Sequence, residues 1–558
     1  MAMAGNRHDG FSLGLRLRGI VAGTGWGTLV SVGLATVIAA PIVAVFSQAL
    51  TASSGGLWSH LASTVLPDYV VNTLALLVLV ALMTLVTGVA CAWTVTMHEF
   101  PGRSVLQWAL LLPLAMPAYV LAYTYTDFFQ FTGPLQTALR AAFGWRKADY
   151  WFPEIHSLGG AAFVLSAVLY PYVYVLARSA FLEQSACVLE VSRTLGATPF
   201  GTFWRVALPL ARPALAAGVG YALMETLADF GAVKYFGIDT FTVGIYRTWF
   251  ALASPVAAAQ LASLLLLFVV LVVALERLSR GRMRFHQTTN KYRALPTVRL
   301  GAARTALAWL VCGAPVFFGF VLPAAILLRL IWLGGDAAWD TTIARPALNS
   351  FMLAASGAVV VVSVGLAVIH GVRSERSRLA AVAARVATLG YATPGTVIAV
   401  GILIAIGAMG TWFGLPTGAV LGATVFGILY GYLIRFFQVA YGPLESGFAK
   451  VSPNIEGAAR SLGSGPVQVL FLVQVPLLRA SILSAALLVF VDIMKELPAT
   501  MILRPFNFDT LAVEAFRMAS TERLDAAALP ALIIVLVGLL PVILLSRSLN
   551  ASRPGHRS

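Results

Sequence analysis

Four acidic residues stand in stretches where acids are costly. Glu225 and Asp229 lie four positions apart in one apolar run, and Asp492 and Glu496 repeat that spacing in another, each 267 residues after its counterpart. Positions i and i+4 of a helix share a face, and an acid inside a membrane-length apolar segment normally faces a cavity or a partner. Two such pairs set opposite one another would form a transient oxygen-rich site of the kind a hard cation prefers. A structural reading fits the same residues: Lys234 and Lys495 lie nearby, so each pair could neutralise a lysine or cap a broken helix. Glu225 and Asp492, deeper in their runs, are the stronger cavity candidates, and Asp229 and Glu496 suit an outer gate. A stable metal centre is not expected.

The elements that must position these acids are membrane helices. Of 558 residues, 59% are hydrophobic and only 11% charged, with a mean hydropathy of +0.85, whereas about a quarter of an ordinary soluble domain is charged. Apolar windows long enough to cross about 30 Å of hydrocarbon fall near 26–47, 70–95, 104–126, 158–179, 211–234 and 256–275. Six more fall near 305–331, 349–371, 382–410, 417–440, 481–502 and 526–546. Between the two sets lie Arg277, Arg280, Arg282, Arg284, Lys291, Arg293, Arg299 and Arg304, too many charges to bury. The fold class expected is therefore all-α: a polytopic membrane protein with twelve transmembrane helices in two parallel six-helix repeats.

The repeat is visible residue by residue. Asn72-Thr73-Leu74 matches Asn349-Ser350-Phe351, Pro117-Ala118 matches Pro394-Gly395, and Leu169-Tyr170-Pro171-Tyr172 matches Leu429-Tyr430-Gly431-Tyr432. Asp239-Thr240-Phe241 likewise has a partner in Asp509-Thr510-Leu511. The net charge of +15 sits in short segments between apolar runs, where an anionic leaflet of the lipid bilayer is the simpler partner and nucleic acid is not expected. The basic N-terminus, the linker, the loops holding Arg103 or Arg373 and Arg378, and the C-terminal arginines all fall on one side, which the positive-inside rule makes cytosolic. Both termini are then cytosolic, and the first apolar run is retained rather than cleaved. Cys91, Cys187 and Cys312 are isolated and show no ligand spacing. The cluster Tyr119, Tyr123, Tyr125, Tyr170, Tyr172 and Tyr174 could supply ligands to such a cation, but packing and interface roles are commoner for membrane tyrosines.

One cytosolic loop also occurs twice. Glu190-Val191-Ser192-Arg193-Thr194-Leu195-Gly196-Ala197-Thr198-Pro199 leads to Leu208-Pro209, and Gly457-Ala458-Ala459-Arg460-Ser461-Leu462-Gly463-Ser464-Gly465-Pro466 leads to Val475-Pro476. Gly196 and Gly463 can take a positive φ at a helix end, and Pro199 and Pro466 suit the start of a second short helix. A helix, turn, helix lying along the inner surface is expected. None of the lysines follows a glycine, so the phosphate-cradling pattern G-x-x-x-x-G-K-[ST] is missing from the chain.

These loops resemble the EAA loop of the permeases of binding-protein-dependent ABC importers. The acid and Asp-Thr segments resemble those of the fused two-domain permeases for ferric iron. The resemblance implies that the chain is not itself an enzyme and binds no cofactor, ATP and magnesium residing on two copies of a partner ATPase subunit. A periplasmic solute-binding protein docks outside, and the fused halves replace a permease dimer in the bacterial inner membrane. It further implies that Glu190, Arg193, Gly196 and Pro199, with Arg460, Gly463 and Pro466, carry the ATPase coupling. Gly457 stands where the family Glu is expected, with Glu456 one residue earlier. The implied organisation is a tail over 1–23, a first repeat over 24–276 with its coupling loop at 183–212, and a basic linker over 277–304. A second repeat over 305–546 follows, with its loop at 445–479, and then a tail over 547–558. Thiamine, polyamines, sulfate and 2-aminoethylphosphonate are alternative cargoes within the class. A gradient-driven secondary transporter is the alternative outside it, though it would leave the matched loops without a task.

Overall fold

The computed structural model describes residues 25–51, 53–183, 194, 196, 198–280, 298–335, 343–375, 377–414 and 424–551. Glu190 and Arg193 of the first coupling loop, both chain ends and most of the basic linker lie outside the described residues. The all-α expectation holds. Among the described residues ten helices are long and apolar enough to cross a membrane, and two bent helix pairs bring the number to twelve if each pair is one span. In order, the first six are Trp26–Thr51, Leu66–Met97, the pair Arg103–Ala115 with Ala118–Phe143, Leu158–Leu182, Phe200–Ala228 and Pro255–Ser279. The second six are Ala302–Gly334, Ala344–Glu375, the pair Arg378–Ala392 with Gly395–Thr411, Val425–Ala449, Pro466–Met494 and Leu524–Ile543. Their outer faces carry exposed Val78, Leu82, Val86, Leu267 and Val359, as a lipid-facing surface requires.

Several windows needed correction, each for a local reason. The third and ninth spans, each read as one apolar window, bend by 93° and 114° at the matched prolines. Pro117 and Pro394 lack an N–H and force the preceding residue out of the helical region: Met116 and Thr393 sit at ψ 117 and 125. The fifth and eleventh spans begin at Phe200 and Pro466, well before their hydropathy windows, and stop at Ala228 and Met494. The early start follows from the loops. Gly196 and Gly463 take φ values of +84 and +89, and Pro199 and Pro466 then open helices that run on into the membrane. The expected second surface helix is thus the foot of a span. Each foot carries a π-helical turn, Phe203–Ala207 and Val469–Gln474, just before Leu208-Pro209 and Val475-Pro476, where the proline cannot donate to the regular ladder. The tenth span runs to Ala449, later than the hydropathy window placed it.

The halves are interlocked through their first helices. The first span packs on the eighth and ninth, and Tyr430 of the tenth donates to its Val37 carbonyl at 2.5 Å. Its N-terminus is held by Glu375, whose Oε1 accepts from Gly27 N at 2.6 Å and Oε2 from Thr28 N at 2.8 Å. An acid there also complements the positive helix end. The seventh span leans on the first half in the same manner: Trp309 donates to the Pro101 carbonyl at 3.1 Å, and Cys91 Sγ lies 3.4 Å from the Val311 carbonyl. A two-residue parallel pairing of His98–Glu99 with Val298–Arg299 clips the linker end to the first half.

The crossing of the first and eighth spans has no room for a side chain, since a Cβ on Gly27 would lie 2.3 Å from the Gly371 Cα. Gly27→Ala is expected to force the two helices apart and destabilise the protein by about 1–3 kcal/mol. A thermal midpoint in detergent equal to that of the parent chain would contradict this.

Candidate functional site: a charged cavity between the halves

The two matched turns that open the sixth and twelfth spans' approach are anchored identically. Asn72 Nδ2 donates to the Asp239 carbonyl at 3.0 Å, and Asn349 Nδ2 donates to the Asp509 carbonyl at 3.0 Å. Each asparagine stands near the start of a long helix and ties it to the irregular segment after a broken one. The repeat in the sequence is therefore a repeat in contacts.

These anchors fix the breaks that hold the acids. After Ala228 the chain turns extended at Asp229, with φ −66 and ψ 135, and restarts as a short helix, Gly231–Tyr235. Asp229 Oδ1 accepts from the backbone amides of Ala232 and Val233, both at 3.1 Å. In the second half Glu496 is buried. It accepts from Ala499 N at 2.9 Å and Thr500 N at 3.0 Å, and from the Thr500 hydroxyl at 2.5 Å, at the start of the helix Pro498–Leu503. Asp229 and Glu496 thus cap the restarted helices, satisfying amides that would otherwise be orphaned in the membrane. The expectation of two acids on one continuous helix face fails because each helix ends between its acids. The expected gate pair has its carboxylates committed to backbone. Glu496→Ala is expected to cost about 1–2 kcal/mol, read as a lower thermal midpoint, with Glu496→Gln losing less; equal midpoints for all three chains would contradict the cap.

Glu225 and Asp492 keep their helical positions and line a cavity of about 140 Å³ together with Asp229, Glu496, Tyr119, Tyr172, Tyr391, Arg435 and Lys495. Glu225 accepts from the Tyr391 hydroxyl at 2.6 Å, and its second oxygen lies 3.9 Å from Arg435. Asp492 pairs with Lys495 at 2.9 Å. The four carboxylates converge on one cavity. Even so, among the described residues no three His, Cys, Asp or Glu side chains are grouped to hold a metal ion. Lys234 instead lies over the Tyr246 ring, 5.9 Å from its centroid. Of the tyrosine cluster, Tyr170 and Tyr174 donate to the Leu110 and Gln107 carbonyls, Tyr123 donates to the Ala527 carbonyl and Tyr125 to the Phe318 carbonyl. Only Tyr119 and Tyr172 of that cluster line the cavity. Tyr391 and Arg435 were missed by sequence reasoning. Each stands alone in its half: counting back by the repeat offsets finds Leu114 and Val175, so the search for matched residues passed over them.

The backbone of the second coupling loop is described throughout. The helix Pro453–Ser461 is capped by Ser452, whose side chain accepts from Asn454 N. Glu456, not Gly457, turns inward and forms an ion pair with Arg373 at 2.5 Å, with side-chain exposures of 8% and 20%. The carboxylate has moved by one position and still ties the loop to the bundle. Arg373 also donates to the Phe448 and Val451 carbonyls, and His370 meets Gln474 of the π turn at 2.6 Å. In the first half the position matching His370 is Trp93, which packs on Phe203 with ring centroids 4.8 Å apart. Leu462, beside Gly463, is 86% exposed, and Arg460 is exposed. Phe200 and Trp204 are exposed at the foot of the fifth span.

Among the described residues, ten to twelve spans, a duplicated glycine turn and a charged cavity lined by both halves make a two-fold-repeated membrane architecture. Residues 84–285 match the family described as binding-protein-dependent transport system inner membrane component. The chain is 25% identical over 480 residues to the Fe(3+)-transport system permease protein FbpB 2 of Haemophilus influenzae, covering 85% of this chain and 89% of that one. It is 31% identical over 218 residues to the sulfate transport system permease protein CysW of Escherichia coli, 38% of this chain and 71% of that protein. It is also 31% identical over 150 residues to the sulfate transport system permease protein CysT of the same organism, 27% of this chain and 51% of that protein. The chain belongs to the binding-protein-dependent transport system inner membrane component family. It is an ABC importer inner-membrane permease of the fused two-domain type, a multi-pass protein of the inner membrane that works with an ATPase and a binding protein.

Proposed function

We propose that this permease carries ferric iron, and that the path runs through the cavity lined by Glu225 and Asp492. The observation that carries this reading is the chain-long similarity to a permease named for Fe(3+) transport, where the sulfate permeases match only part of this chain. A cavity with four carboxylates and three tyrosines supports it, because a hard cation favours oxygen ligands. The chain holds no ATPase site of its own. Two copies of an ATPase subunit bind ATP and magnesium and dock on the cytosolic side, one at the turn of Gly196 and Pro199, the other at that of Gly463, Pro466 and Arg460. Glu190 and Arg193 serve the first of these docks. A periplasmic solute-binding protein delivers the cargo to the opposite side. Both termini face the cytosol, in keeping with the basic linker and tails, and the two fused halves stand in for a permease dimer.

The test is uptake by vesicles holding the complete importer, offered labelled ferric iron or labelled sulfate. Iron uptake without sulfate uptake is the expected result. Sulfate uptake without iron uptake overturns the iron reading and leaves the importer class intact.

A further inference from the structure

The cavity holds two cations beside its four carboxylates, and both cations come from one half. Arg435 belongs to the tenth span and Lys495 follows the eleventh; the matching positions of the first half hold Val175 and Ala228. With Asp229 and Glu496 occupied by backbone amides, the groups left to meet a cargo are Glu225, Asp492, Arg435, Lys495 and the tyrosine hydroxyls. Glu225 is set against Arg435 and Asp492 against Lys495, so each of these two acids already has a cationic partner. A bare trivalent cation entering this space would meet two fixed positive charges as well as the carboxylates, in a poorly screened interior. Tyr119, 5% exposed, lines the same cavity, and its hydroxyl has no hydrogen-bond partner among the described residues. A buried donor left without a partner, in a cavity that Arg435 and Lys495 also line, suits an anionic oxygen.

We infer that the cargo presents anionic oxygens to Arg435, Lys495 and the Tyr119 hydroxyl, and that iron therefore passes with an oxyanion ligand still attached. This rests on the reading of the cavity as the translocation path. The shared chemistry is a carboxylate, phosphate or sulfate oxygen, brought either by a free oxyanion or by the coordination shell of a ferric complex. Arg435 offers a planar fork suited to such a group and Lys495 a point charge.

The test compares uptake of labelled ferric citrate, labelled sulfate and labelled iron on a neutral tris-hydroxamate carrier by vesicles holding the whole importer. Arg435→Gln and Lys495→Gln are each expected to raise KM for the transported oxyanion probe about tenfold or more, and Tyr119→Phe to raise it less. Arg435→Lys should recover part of the loss. The decisive variant is Glu225→Gln with Arg435→Gln, in which the pair is removed together. It should regain thermal stability relative to the single variants yet keep the raised KM. A return of KM to the parent value would mean that Arg435 serves only to neutralise Glu225, and the inference falls. Transport of sulfate but not iron would sink the iron reading and leave the anion site standing. Transport of the hydroxamate complex as well as the citrate complex, with KM unchanged in every variant, would do the reverse. A parent importer that moves none of the three overturns both.

Discussion

Replacing Arg373 by alanine is expected to uncouple the second ATPase dock and abolish transport. Arg373 closes a buried ion pair with Glu456 of the helix Pro453–Ser461 and donates to two carbonyls, those of Phe448 and Val451, near the end of the tenth span. Removing one member of such a pair leaves the other charged and buried, which costs about 3–5 kcal/mol, enough to release the helix from the bundle. The eighth span that carries Arg373 also carries Glu375, the cap of the first span. The loss should therefore reach beyond the loop. The measurement is binding of the ATPase subunit to the purified chain together with vesicle uptake. Both should fall in Arg373→Ala and in Glu456→Ala, and Arg373→Lys should retain part of each. Uptake at the parent rate in Arg373→Ala would refute the tie.

Glu225→Ala is expected to have the second large effect, in the cavity. Its carboxylate accepts from the Tyr391 hydroxyl and faces Arg435, whose side chain is only 10% exposed. Without it a buried guanidinium stands uncompensated across the boundary between the halves, and the destabilisation should be on the order of 3 kcal/mol. Glu225→Ala combined with Arg435→Met, which exchanges the ionic pair for apolar groups, should recover most of that loss in thermal midpoint. A double variant no more stable than Glu225→Ala would show that the two side chains do not depend on one another.

Much of this was legible because duplication wrote each key residue twice. The pairs Asn72 and Asn349, Asp239 and Asp509, Pro117 and Pro394, and Gly196 and Gly463 could be found by offset alone, and each pair makes the same contact or bend in both halves. Hydropathy could not show where the fifth and eleventh helices break. Single charged residues inside long apolar windows do not mark a helix end, and the stops at Ala228 and Met494 are set by Asp229 and Glu496 capping the next short helices. The one-sided residues were invisible to the same method: Arg435 and Tyr391 have no counterpart to flag them, and the shift of the loop carboxylate from position 457 to Glu456 looked like a loss until Arg373 was seen beneath it. Interlocking of the halves through Gly27 and Gly371 joins positions far apart in sequence, and no local pattern announces such a contact.

The most direct test of the central account compares ferric iron uptake by vesicles holding the parent importer with uptake by vesicles holding the Glu225→Gln, Asp492→Asn chain, the two matched for bound ATPase subunit and for ATP hydrolysis. The account predicts uptake that requires ATP on the cytosolic side in the parent and is lost in the variant while hydrolysis continues. Uptake that persists in the variant at the parent rate, or that runs on an ion gradient without ATP, would contradict it.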